Sequence, residues 1–558
     1  MTNIIFDFKL GKISKIDSLE VLWPDGKKNV SYSVEVNQLV EITYKNSILK
    51  SSSSAEKQES IFVDITEKAF KGMVVSQIEN SYDDFRDQIL LPHKLSTEGP
   101  CISVADVNND GFEDFFIGGA TGETGRIFLQ MSNKTFEESK QGYLLKDKGY
   151  EDVDAVFFDA NSDGFPDLYV VSGGNEFKEG SMAYQDRLYL NNGKGQFSKT
   201  SNLPRINSSG GCVLPLDFDS DGDLDLFIGA RLVPKKYPKS PKSYLLENTN
   251  GVFKDVIKMI APELEYIGLV TDAVFEDIDL DTKKELIVVG EWMPITLFKK
   301  TGNRYNKKEP VELAKSDGWW NCITPTDIDN DGDIDFIVGN LGTNYKFKAS
   351  AEKPFYVFAS DYDQNGTNDI FLAKKYKNKI VPVRGKECST QQLPSLSKKF
   401  KSYGQFAKAD INDVLGVSNE PVIDYKAYQF NSVVLKNEKG KLVMKPLPYQ
   451  AQYSTVQSIV SDDFTGNGIH DILIAGNKFN VEIETTRADA SVGVLLEGSS
   501  TGVFNTKSVK ESGVFLPGNV KTLKTIRIGE VGNGEKFGVL VGVNDAHICL
   551  LVESSVSK

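Results

Sequence analysis

Short apolar runs recur along the chain, each entered from a cluster of acidic residues and glycine. Cys212-Val213-Leu214 leads into Asp217-Phe218-Asp219-Ser220-Asp221-Gly222-Asp223-Leu224-Asp225, which empties into Leu226-Phe227-Ile228-Gly229. Apolar runs this short, bounded by turn residues, read as buried β-strands rather than helices. The unit is therefore a β-hairpin whose connecting loop is strongly acidic. A second kind of hairpin follows each one. Leu188-Tyr189-Leu190-Asn191-Asn192-Gly193-Lys194-Gly195-Gln196-Phe197 and Tyr244 to Phe253 carry Asn/Gly turns between apolar strands, as do Val433 to Gly440 and Val494 to Gly498. Two hairpins per unit predict four-stranded sheets, and a period of about 50–60 residues is that of a β-propeller blade.

The acidic loop supplies oxygens at its first, third, fifth and ninth places, with a glycine at the sixth for the sharp turn. Calcium takes hard oxygen ligands at such spacing, and the seventh residue can add its backbone carbonyl. An EF-hand would need flanking helices and a Glu at the twelfth place; both flanks here read as strands. The phrase returns as Asp106, Asn108, Asp110 and Asp114, as Asp159, Asn161, Asp163 and Asp167, and as Asp217, Asp219, Asp221 and Asp225. It returns again as Asp327, Asp329, Asp331 and Asp335, as Asp361, Asp363, Asn365 and Asp369, and as Asp463, Thr465, Asn467 and Asp471. Asp277-Ile278-Asp279-Leu280-Asp281 is a decayed copy with Thr282 in place of glycine and Glu285 at the ninth place. Seven matches, each followed by an apolar strand, exclude chance. For the loops at Asp277 and Asp463, a turn without metal is as good a reading as a metal site.

These loops, with the apolar tails Phe116-Ile117-Gly118-Gly119-Ala120, Phe227-Ile228-Gly229-Ala230 and Ile337-Val338-Gly339-Asn340, resemble the FG-GAP (VCBS) repeat family. Its members build β-propellers like the head of integrin α-chains. The resemblance covers residues 60 to 558 and implies an all-β fold with about five or six structural Ca2+ ions. Repeats starting near Asp106, Asp159, Asp217, Asp277, Asp327 and Asp463, plus a worn one at Thr525-Ile526-Arg527-Ile528-Gly529, make seven blades. The Asp361 loop then lies in an insertion between roughly Tyr345 and Phe430; if its hairpin founds a blade, there are eight. Within the insertion, Leu396, Phe400, Tyr403, Phe406 and Ile411 have a loose helical spacing.

Residues 1–45 form a different, small β module. Val21-Leu22-Trp23-Pro24-Asp25-Gly26 reads as a strand and turn, and Ser33 to Val36 and Leu39 to Ile42 alternate like strands. The Val-x-Trp-Pro-Asp-Gly phrase resembles the end of an ASPIC/UnbV domain, which accompanies such repeats in secreted bacterial proteins and in cartilage acidic protein. Residues 46–60, with four consecutive serines, read as a flexible linker. No signal peptide is visible in Met1 to Phe8, and no apolar run is long enough for a membrane helix. Because calcium loops of this kind suit a millimolar-calcium setting, the expectation is a fragment or processed form of a secreted, cell-surface or periplasmic protein.

Net charge is −14 over 558 residues, which argues against nucleic acid as a partner. The five cysteines are not a disulfide scaffold: Cys101, Cys212 and Cys322 each stand five residues before the first Asp of their own loops, so the repeat keeps them apart. Other repeats carry Asp154, Asp272 and Ser458 there, which would face water if that strand lines a central channel. The three histidines, His93, His470 and His547, lie in different repeats, and no HExxH, Walker or GxSxG motif exists. A non-catalytic, calcium-stabilised platform binding an extracellular glycan or protein ligand is the reading that follows. An enzyme acting on polysaccharide and a scaffold subunit of an outer-membrane complex are its alternatives. Trp292, Trp319, Trp320, Arg384 and Arg487 on the loops would suit recognition of a sugar or peptide. The competing and favoured reading packs the tryptophans inside and pairs the arginines with carboxylates.

Overall fold

The computed structural model describes residues 13–22, 27–43, 45, 48–49, 60–415, 422–532 and 534–554. The chain divides into two units, Met1–Glu59 and Ser60–Lys558. In the first, Lys15–Leu22 pairs antiparallel with Lys27–Glu35, and Ile48–Leu49 adds to the other edge opposite Lys28 and Lys27. The sheet of this module thus reaches into the stretch read as linker. Leu39 to Ile42 alternates in sequence but forms no strand. The Trp23 to Gly26 turn and the four serines lie outside the described residues.

In the second unit the apolar runs become strands as their spacing predicts, and the unit is all-β apart from short helices. The sheet around the Asp217 loop is representative. Ser209–Leu216, Asp225–Leu232, Tyr244–Thr249 and Val252–Asp255 follow one another in spatial order, all antiparallel. Its second strand is buried at all eight positions, so the apolar stretch Leu226 to Ala230 runs without alternation between the buried charges Asp225 and Arg231. Among the described residues, seven sheets contain this four-strand path. The first strands of successive sheets pack side by side in chain order, from Ile102–Ala105 through Asp152–Phe158, Ser209–Leu216, Leu269–Glu276, Cys322–Thr326 and Ser458–Asp462 to Val520–Ile528. The last packs back on the first. Apolar cores lie between neighbouring sheets, as where Phe227 and Leu245 meet Val288 and Phe298.

The seventh sheet takes its outermost strand from the start of this unit: Phe62–Asp64 pairs with Cys549–Glu553. Phe62 is fully buried and meets the Phe464 ring edge-on at 5.2 Å. Phe62→Ala is expected to cost about 3–5 kcal/mol, read from the midpoint of chemical denaturation.

The Asp361 loop joins Phe355–Ser360 to Asp369–Tyr376 in a separate four-stranded sheet with Lys379–Pro382 and Ile423–Ala427. This sheet is inserted between the second and third strands of the fifth repeat, Asp335–Gly339 and Val433–Glu438. The helical spacing is realised as Leu396–Lys399, Tyr403–Phe406 and Ile411–Leu415, preceded by Lys386–Gln392. Leu396, Phe400, Phe406 and Ile411 cover Phe371 and Ala373 of the inserted sheet.

Cys101, Cys212 and Cys322 are buried free thiols, and they explain a glycine in the following strand. A Cβ at Gly118, Gly229 or Gly339 would stand 2.5, 2.7 or 2.6 Å from the respective sulfur. Their counterparts Asp154, Asp272 and Ser458 line, with the cysteines, a cavity of ≈ 380 Å³. Half-buried at this cavity, they also accept the backbone N–H of Val213, Ile323 and Leu523 in the next sheet, at 2.9, 2.8 and 2.9 Å. Burial raises the Asp272 carboxyl to about 7.

Candidate metal centres

Each acidic loop is held by its own carboxylates. In the first, Asp106 accepts the N–H of Asp110 at 3.2 Å and of Gly111 at 2.8 Å. Asp159, Asp277, Asp327, Asp361 and Asp463 each accept from the fifth and sixth residues in the same way. The tight curl needs a left-handed residue at the sixth place, which glycine adopts at little cost. The decayed loop forces Thr282 to φ 71° there, an unfavourable conformation for a β-branched side chain.

The ninth carboxylate is the pivot. Asp225 accepts the N–H of Phe218 at 3.2 Å and of Asn248, on the third strand, at 2.8 Å. Asp114, Asp167 and Asp335 do the same with Val107 and Gln130, Ala160 and Asn191, and Ile328 and Asn437. All four are fully buried. Burial, reinforced by neighbouring loop carboxylates, raises Asp114 and Asp225 to about 7 and Asp167 and Asp335 to about 6, and Asp369 likewise to about 7. Such a group is unfavourable as a bare anion and calls for a proton or a cation.

Oxygens of Asp217, Asp219 and Asp225 lie within 4.8 Å of one another, as do those of Asp327, Asp329 and Asp335, of Asp361, Asp363 and Asp369, and of Asp277, Asp279 and Glu285. These four clusters could each hold a metal ion. At the third place of the loops at Asp106 and Asp159 stands an amide, and Asn108 and Asn161 bind their own fifth residues, Asp110 and Asp163. The fifth-place Asp221 accepts from Asp223 N at 3.1 Å, as Asp331 does from Asp333 and Asn365 from Thr367. In the Asp463 loop the N–H given to the ninth carboxylate comes from Thr465, one residue later than elsewhere. Asn467 accepts from Ile469 N. Buried Asp329 Oδ1 has no hydrogen-bond partner, as expected of a ligand oriented toward an ion.

Two loops differ. Lys299 Nζ lies among three carboxylates of the decayed loop, touching Asp279, with Asp281 at 3.1 Å and Glu285 at 3.3 Å. Lys436 Nζ touches Asp329 of the Asp327 loop. Neither lysine stands out in the sequence.

The tryptophans do not form a ligand surface, which corrects the loop-recognition expectation. Trp292 and Trp319 are 3% exposed and Trp320 is fully buried. Trp292 and Trp319 pack with Phe347, Phe355 and Phe430, while Trp320 Nε1 donates to the Ser316 carbonyl at 2.9 Å. Arg384 is equally buried, paired with Glu482 and 3.6 Å from Glu484. Arg487 alone of the five is exposed, with its guanidinium 4.2 Å above the Phe479 ring.

Sequence reasoning also missed a buried polar network. Glu291, 3% exposed, pairs with Arg231, accepts from the Tyr237 hydroxyl and faces His93 Nε2 at 3.3 Å. Trp292 Nε1 donates to the same hydroxyl. Burial alone would raise the Glu291 carboxyl, but His93 and Arg231 hold it well below the ordinary carboxylate range. No local motif could have signalled it, because its members meet only in the fold.

The FG-GAP-like repeat model matches residues 106–170, 171–228 and 277–338, so it takes in the loops at Asp106, Asp159, Asp217, Asp277 and Asp327. The chain is an FG-GAP repeat protein. Residues 5–49 match the ASPIC and UnbV model. No curated protein matches the chain in sequence. Among solved structures it is similar to the V. cholerae biofilm matrix protein Bap1, at 11% identity over 87% of this chain and 91% of that one, with a TM-score of 0.35. It is also similar to YCF48 bound to D1 peptide, at 9% identity over 87% and 99%, with a TM-score of 0.38. No helix among the described residues is long and apolar enough to cross a membrane.

Proposed function

We propose that this FG-GAP repeat protein is a seven-bladed, calcium-stabilised β-propeller. It acts without catalysis as an extracellular or cell-surface binding or adhesion module. The observation that carries the reading is the repeated loop, in which a buried ninth carboxylate converges with a half-buried first one and a more accessible third one on a point between strands. Such a site is all oxygen, which suits a hard cation, and calcium's tolerance of irregular geometry suits loops that differ in detail. The seven four-stranded sheets, closed by Phe62–Asp64 on Cys549–Glu553, support the propeller. The inserted sheet with the Asp361 loop is then an attachment to the fifth blade rather than an eighth.

Bound calcium offsets charge that the loop could not otherwise bury, fixing the first two strands of a blade against the third. Binding then falls to the outer loops, since the tryptophans serve the interior. The test is passage of the purified protein over a panel of immobilised polysaccharides in millimolar calcium, with retention and release of shorter products recorded together. The expected result is retention that is lost in chelator, without products. Product release would make the protein an enzyme, and passage through the whole panel would remove glycan as the ligand class.

A further inference from the structure

Third-strand register gives one equivalent position in each of the first six blades, and in the fourth and fifth its side chain reaches the acidic loop. The position is the residue after the one paired with the second position of the second strand: Leu129 after Phe128↔Phe115, Leu190 after Tyr189↔Leu168, and Glu247 after Leu246↔Leu226. By the same count it is Lys299 after Phe298↔Leu286, Lys436 after Leu435↔Phe336, and Glu497 after Leu496↔Ile472. Only the fourth and fifth blades carry a cation there, and in both the ammonium reaches the loop carboxylates. We propose that Lys299 is the resident cation of the Asp277 loop, and that Lys436 is a displaceable one at the Asp327 loop, exchanged for calcium as its concentration rises.

The two differ in how many carboxylates they engage. Lys299 lies among three carboxylates, touching Asp279 with Asp281 at 3.1 Å and Glu285 at 3.3 Å, so one ammonium faces the charge of all three. An ion entering that loop would have to expel a tethered charge from all three. Calcium needs six to eight oxygens around it, and an ammonium among them takes both the space and the charge. Lys436 meets Asp329 alone, while Asp329 Oδ1 is left without a partner. Freed from Asp329, its flexible four-carbon stem can turn the ammonium to solvent, leaving Asp327, Asp329 and Asp335 to an ion. The Leu and Glu positions of the other blades offer no competing cation. The blades therefore fall into calcium-held, exchangeable and lysine-held classes.

This proposal rests on the calcium reading above, and the two fail differently. Calcium bound per chain is counted by equilibrium dialysis of the whole protein against calcium chloride. Lys299→Ala is expected to bind one ion more than the unmodified chain. Lys436→Ala is expected to bind the same number, with one site at least about tenfold tighter. Equal counts for Lys299→Ala and the unmodified chain overturn the proposal. Should Lys299→Ala not fold, a matched pair decides: Asp219→Asn is expected to remove one ion, and Asp279→Asn none. Loss of an ion on Asp279→Asn overturns the proposal while leaving the calcium reading intact. Absence of calcium from every variant overturns both.

Discussion

Chelation of calcium is expected to lower the melting temperature by about 10 °C at pH 7.5. An ion at a hundred times its dissociation constant contributes about 2.7 kcal/mol to a folded state that alone binds it. About five such ions, set against an unfolding entropy of about 2 cal/mol/K per residue over a body of this size, give a shift of that order. Asp221→Ala, which deletes the fifth-place carboxylate of one loop, is expected to reproduce a few degrees of it. The effect depends on pH with a definite sign. In the calcium-free fold, burial raises Asp114, Asp225 and Asp369 to about 7 and Asp167 and Asp335 to about 6. In the unfolded chain the same groups release their protons near 4. Between about pH 4 and 7 the folded state therefore holds more protons, and the calcium-free protein loses stability as pH rises. Calcium replaces those protons, so the gap between melts in calcium and in chelator widens from pH 5 to pH 7.5. A melt unchanged by excess chelator at pH 7.5 would contradict the account.

Glu291→Ala is expected to destabilise the protein by about 3–5 kcal/mol, because it strands the Arg231 guanidinium and the Tyr237 hydroxyl in the interior. Arg231→Ala strands Glu291 instead and is expected to cost a similar amount. Removing either member breaks the same pair, so the double variant should cost less than the sum of the two single changes. The carboxyl of Glu291 is held below its ordinary range, so its contribution is present above about pH 4.3 and is lost as pH falls toward its folded value. Arg487→Ala, at an exposed stacked site, is the control and is expected to change stability by less than about 1 kcal/mol. Denaturation midpoints measure all of these, and a Glu291→Ala protein as stable as its parent would show that the network is dispensable.

What was legible in the sequence is what the chain decides locally. Asp217 to Asp225 fixes a loop whose donors and acceptors lie within nine residues, and the buried strand after it follows from an unbroken apolar run. The cysteine spacing correctly kept the thiols apart, although the matching need for Gly118, Gly229 and Gly339 appears only once the second strand lies against the first. What the sequence concealed is set by register and by long-range closure. Lys299 and Lys436 look like ordinary strand lysines until pairing brings them to loops that precede them by about 20 and 100 residues respectively. His93, Arg231, Tyr237 and Glu291 come from separate segments and share no spacing. The favoured packing of the tryptophans inside holds: a phrase such as Asp317-Gly318-Trp319-Trp320 looks like a loop, but Gly318–Trp319 pairs with Glu285–Met293 and both rings turn inward. Leu39 to Ile42 alternates without pairing, since alternation needs a neighbouring strand to become a sheet.

The most direct measurement is the calcium content of the purified protein after dialysis against millimolar calcium at pH 7.5, followed by brief removal of free ion. About five ions per chain are expected, each held by a loop of oxygen ligands. A protein that emerges folded and free of calcium would contradict the calcium reading.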